Sequence, residues 1–215
     1  MNQIKRLFLS LFFYALSAFG VSLSVKVNVG ISAFNAMNVS LSDLTGVKVG
    51  TITTIINFTF LLAYMIFTKF RYPLKYVLQG VFLLILGALI NFYLYTVLVD
   101  FEVQSYLLRM VLLSVGTIIS GLAVGMIIHY NIITFPIESL CIELESHTKP
   151  SFAFYRYGVD IISILVSLAI TLFFGMPLYI REGSIVSMLL LTASMNFSRQ
   201  KMGKILENEQ RNTLL

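Results

Sequence analysis

Gly30-Ile31-Ser32-Ala33-Phe34-Asn35-Ala36-Met37 belongs to an apolar stretch too short to cross a membrane and too apolar for a simple loop. Phe135-Pro136-Ile137-Glu138-Ser139-Leu140-Cys141-Ile142 is a second stretch of the same kind. Gly30 and Pro136 mark where the chain turns into each. A single gap-free shift of 103 residues superposes the two. The same shift pairs Ser17 with Ser120, Asn28 with Asn131, Thr45 with Thr148, Tyr76 with Tyr179 and Gly80 with Gly183. Such identities recur at about twice the rate this composition gives by chance, as a diverged internal repeat does.

The composition says where such a repeat lives. Hydrophobic residues make up 58% of the chain and charged residues 12%, and the mean hydropathy is +0.88. A soluble domain of this size cannot hide that much apolar surface. Six spans are expected, near 7–25, 50–68, 76–98, 106–128, 152–174 and 184–198, forming an all-α polytopic bundle. Repeat one then covers about 6–99 and repeat two about 106–202, with a short tail at 203–215. Each repeat holds three spans. An odd number returns the second copy upside down, as in the inverted repeats of secondary transporters. The segments 30–45 and 133–148 are expected to be re-entrant or interfacial helices, one at each side. An eight-span alternative, with both crossing, spoils the charge asymmetry described next.

With the N-terminus inside, ten basic residues from Lys5 to Arg211 fall in cytoplasmic segments. Only Lys26, Lys48, Arg109 and Arg181 fall outside, so both termini are expected in the cytoplasm. The net charge of +5 is therefore topological, and no nucleic-acid partner is expected. Cys141 is the single cysteine, which excludes an internal disulfide. There is no Walker loop, HExxH, GxSxG or CxxC, and no nucleophile-base constellation. Neither an enzyme, a metal site nor a cofactor is expected.

The run Lys26-Val-Asn28-Val-Gly30 to Asn35, followed by Thr45-Gly46-Val-Lys-Val-Gly50-Thr51, resembles the YczE/YyaS/YitT family of bacterial membrane proteins. Phe135-Pro136-Ile-Glu138 with Thr148-Lys-Pro-Ser-Phe152 resembles that family's second element. The family's Pro-Trp-Asp is replaced by Ala33-Phe34-Asn35, so the acid survives only in copy two, as Glu138. The resemblance implies a multi-pass protein of the bacterial plasma membrane. It also implies an alternative to transport: a regulatory or scaffold role, such as an accessory factor in antibiotic production.

Ionisable and amide groups inside an apolar chain mark candidate sites. Asp160 and Arg156 lie one turn apart on span five and are placed to pair, and Asn57 is the repeat counterpart of Asp160. Lys26 and His129 end spans one and four, with Asn28 and Asn131 beside them. Asn35 and Glu138 start the two short helices. These nine residues are the candidates for binding an unknown small solute or coupling ion. Packing explains each pair as well: a neutralised ion pair, snorkelling cations and helix caps. Gly116, Gly121 and Gly125, like Ser17, Gly20 and Ser24, are read as close-packing positions, and most aromatics as lipid-facing. The bilayer is the expected environment, with room for a protein partner or a homo-oligomer.

Overall fold

A computed structural model describes residues 3–130 and 133–212, with side chains at 8–129 and 133–200. Among the described residues the chain is entirely helical. In order the helices are α1 (Gln3–Lys26), α2 (Ala33–Thr45), α3 (Val49–Phe67), α4 (Pro73–Phe92), α5 (Tyr106–Tyr130), α6 (Pro136–His147), α7 (Phe152–Phe174) and α8 (Glu182–Asn212). A π-helical turn, Tyr93–Val97, extends α4. Pro73 and Pro136 start their helices where a missing N–H costs nothing. Gly46 and Gly175 close α2 and α7 in the left-handed region, at φ 70° and 66°.

The burial pattern is that of a membrane bundle. Leu107, Leu172 and Phe173 are 74%, 80% and 83% exposed, while Ser22, Asn38, Ser40, Gln79 and Ser187 are wholly buried. Many large apolar side chains face outward while small polar ones share the interior with the apolar core, unlike a soluble domain. Five helical segments are long and apolar enough to cross a membrane: Phe8–Lys26, Val49–Phe67, Pro73–Val97, Tyr106–His129 and Phe152–Phe174. These match five of the six expected spans. The sixth, 184–198, lies within α8, whose serines and flanking charges keep it out of that group.

At 13 and 12 residues, α2 and α6 are each ~20 Å long, short of the ~30 Å a crossing needs. Neither is among the five segments long and apolar enough to cross. The flanks of α2 lie at one end of the bundle. Lys26 Nζ donates to Val99 O at 2.7 Å, and Val49 N donates to Tyr95 Oη at 3.4 Å, both acceptors lying at or just past the end of α4. Between them residues 29–31 run beside 179–183, with Ile31 N donating to Tyr179 O and Gly183 N to Val29 O. Gly30 has φ 108°, and a Cβ there would lie 2.9 Å from Ser184 N. Only glycine fits both constraints.

Small residues set the helix crossings. A Cβ on Gly20 would lie 2.5 Å from Gly116 O, which holds α1 against α5. Gly121 and Gly125 receive Ser194 and Ser198 of α8 in the same way. Helix α2 packs on α7, and α6 packs on α3. The expectation that most aromatics face lipid holds for Phe8, Phe154 and Phe173 but not for Tyr14, Tyr64, Phe82, Phe135 and Phe152, which are buried. Their rings fill gaps that the many small inward residues leave.

Candidate functional site

The first residues of α2 and α6, Ala33 and Pro136, stand 103 positions apart, as do Val49 and Phe152, the first residues of α3 and α7. The N-termini of α2 and α6 meet at a cavity of about 80 Å³ inside the bundle. Its wall contains Ser17 with Ser120, Val21 with Val124, Ser32 with Phe135, Phe34 with Ile137, Asn35 with Glu138, and Thr53 with Arg156. Each pair is related by the same shift, so both halves of the chain contribute matching faces.

The two faces differ in charge. In the second half, Arg156 Nη1 donates to Asp160 Oδ1 at 2.6 Å, and Arg156 Nε lies 3.8 Å from Glu138 Oε1. All three residues are 95% or more buried, at 5%, 3% and 1% exposure for Glu138, Arg156 and Asp160. Among the described residues Arg156 Nε and Asp160 Oδ2 make no hydrogen bond. In the first half the counterparts are the neutral Asn35, Thr53 and Asn57. Asn57 Nδ2 donates to Thr53 O at 2.8 Å, and Asn35 Nδ2 to Ser32 Oγ at 2.9 Å. Two carboxylates share one guanidinium, so the fully ionised cluster carries one excess negative charge, which burial makes costly.

The cavity has different surroundings at its two ends. Toward the end of α1, Val21 gives way one turn later to Val25, and Ile90 to Leu94. Val25 and Leu94 already line a second cavity of about 590 Å³ that also takes in Lys26, Asn28, Glu102 and Arg109. Toward the start of α1, Tyr14 packs on Phe135 and Phe82 with ring centroids 4.3 and 4.9 Å apart, and its hydroxyl donates to Ile133 O. Beyond that layer Gln79 Nε2 donates to Thr134 O and Ser139 Oγ, both at 2.7 Å. Aromatic rings and a buried amide network thus close this side.

Of the candidate residues, Asn35, Asn57, Glu138 and Arg156 line the inner cavity, with Asp160 behind Arg156. Lys26 and Asn28 line the wider one, Asn28 in a left-handed conformation at φ 49°. His129 is half-buried at the end of α5, away from both walls. Asn131 lies outside the described residues. Sequence reasoning placed Ser17 as packing and Ser120 only as its repeat counterpart. They do pack, at 3.3 Å from each other, and they also line the cavity. Thr53 and Ser32 were missed, although the shift that pairs Thr53 with Arg156 was a usable signal. Glu145, partly exposed, accepts from Phe152 N at 2.9 Å and Arg199 Nη2 at 3.0 Å. Burial opposes its charge, but those two donors prevail and hold the carboxyl below its ordinary range. Tyr179 donates to Asp43, and burial together with that acceptor pushes its hydroxyl up, so it stays a donor at neutral pH.

Residues 4–200 match the profile of a family described as "Family of unknown function (DUF6198)". No curated protein and no solved structure matches the chain.

Proposed function

The chain belongs to this family of unknown function, and from its own geometry we propose that it is a small secondary transporter of two inverted-topology repeats. In this reading α8 supplies the sixth span, α2 and α6 are re-entrant from opposite sides, and both termini are cytoplasmic. The protein sits in a bacterial plasma membrane, in keeping with its resemblance to the YczE/YyaS/YitT proteins. Rocking of one repeat against the other alternates access.

One observation carries the proposal. A buried charged cavity lies between two short-helix N-termini, with a wide vestibule one turn away on one side and an aromatic layer on the other. A bundle built only for scaffolding gains nothing from an incompletely paired Glu138–Arg156–Asp160 cluster beside empty space. Reciprocal packing of α2 on α7 and α6 on α3 supports the repeat reading, because a two-fold operation exchanges those contacts.

Cysteine accessibility tests it. On a Cys141→Ser background, Ser32→Cys and Asn57→Cys should react with a membrane-impermeant thiol reagent from the Lys26 side of the vesicle. Uptake in proteoliposomes should differ between wild type, Glu138→Gln and Asp160→Asn. Labelling from neither side would sink the transporter reading in favour of a regulatory or scaffold protein, which predicts a sealed cavity.

A further inference from the structure

We propose that the inner cavity takes one small monovalent anion together with one proton, the anion on Arg156 and the proton on Glu138. This rests on the transporter reading and names its substrate class.

Three features point to an anion, and the cavity's volume limits its size. Helices α2 and α6 both aim their N-termini at the cavity, and neither Ser32 nor Phe135 caps its helix through a side chain. About half a positive charge at each helix end faces the space, although in α6 Pro136 carries no N–H and the Glu138 N–H bonds its own carboxyl. Arg156 is 3% exposed and lines the cavity, and its Nε, ion-paired to Glu138 Oε1 at 3.8 Å but making no hydrogen bond among the described residues, can donate to an oxyanion once Glu138 is protonated. The vestibule agrees in sign: Lys26 and Arg109 outnumber Glu102 there, which concentrates anions over cations. The volume of about 80 Å³ suits a small guest such as nitrate or a short carboxylate.

The proton follows from the charge count. Glu138 faces Arg156 and Asp160 from α7, Tyr14 from α1 and Cys141 from its own helix, and the rest of the wall is uncharged. With both carboxylates ionised the cluster is net negative and repels an anion from Arg156. One proton on Glu138 neutralises the cluster, and the helix ends then leave the space positive. Proton and anion therefore favour each other's binding reciprocally. A metal cation fits poorly, because the guanidinium sits 2.6 and 3.8 Å from the two carboxylates. No metal-holding group of His, Cys, Asp and Glu occurs among the described residues.

The test uses the full chain in proteoliposomes loaded with a pH-sensitive dye, with nitrate as probe because it does not cross lipid as a neutral acid. An inward nitrate gradient should acidify the lumen, faster at lower outer pH. In Glu138→Gln nitrate should enter without acidification. In Arg156→Lys, which keeps the charge, flux should fall about tenfold. A second readout is Ser32→Cys on the Cys141→Ser background, which should react about tenfold faster with an anionic than with a cationic thiosulfonate. Labelling with the opposite preference and no nitrate flux would overturn the anion while leaving the transporter reading intact. Nitrate flux with no lumenal acidification in wild type would overturn the proton. No labelling of Ser32→Cys by either reagent would take down both readings together.

Discussion

Ser17 and Ser120, 103 positions apart in the chain, meet Oγ to Oγ at 3.3 Å where α1 crosses α5. A residue can touch its own counterpart only where it lies on the axis relating the two halves. In the proposed two-repeat arrangement that axis passes through the α1–α5 crossing, beside the cavity that both serines line. Ser17→Cys with Ser120→Cys, on a Cys141→Ser background, should form an intramolecular disulfide under mild oxidation, seen as loss of two reactive thiols without a dimer on gels. Thiols that stay fully reactive, or a crosslinked dimer, would contradict the axis. The hydrogen bond itself is worth about 0.6 kcal/mol, so Ser17→Ala alone should barely change thermal stability.

Arg156 holds two buried carboxylates, so truncating it strands both. Arg156→Ala should destabilise the protein by about 3–5 kcal/mol in detergent. Removing the acids as well, in Arg156→Met with Glu138→Gln and Asp160→Asn, should restore most of that stability. Chemical denaturation of the three proteins checks this. A triple variant as unstable as Arg156→Ala would mean that packing volume, not stranded charge, sets the cost.

The spans and short helices were legible because they depend on apolar length and on Gly and Pro punctuation. Arg156 and Asp160 were legible because a fourth-neighbour spacing on a helix leaves two side chains little choice but to meet. Thr53, Ser32 and Gln79 were not, because a small polar residue in a membrane helix packs and lines cavities equally well. Their place depends on helix crossing angles, which no local pattern encodes. The partners of Glu145, Arg199 and Phe152 N, were not legible either, because they come from other helices.

The glycines of the bundle are not equivalent, and substitution should separate them. A Cβ on Gly121 would lie 2.7 Å from Ser194 Cβ and 2.9 Å from Leu191 O. Gly121→Leu should therefore push α5 away from α8 and cost about 1–3 kcal/mol. Gly158 sits in α7 with nothing within 4 Å of its would-be Cβ. Gly158→Ala should be neutral or stabilise by up to about 1 kcal/mol through helix propensity. Thermal melts of both variants in one detergent decide it, and similar losses at the two positions would refute the distinction.

Glu145 ties the end of α6 to the start of α7 and to α8, through Phe152 N and Arg199, and its carboxyl titrates below the ordinary range. A group whose folded pKa is depressed contributes its full stability above the unfolded pKa and loses it as pH falls through the folded value. The difference in melting temperature between wild type and Glu145→Gln should therefore be constant from neutral pH down to the ordinary carboxylate value. It should shrink only below that, as the carboxyl protonates and the charge-assisted bond to Arg199 weakens. Because the pair is partly exposed, the difference should be small and should narrow in high salt. Arg199→Gln should erase most of the pH dependence. A difference that instead disappears between pH 7 and pH 5 would assign the titration to another group.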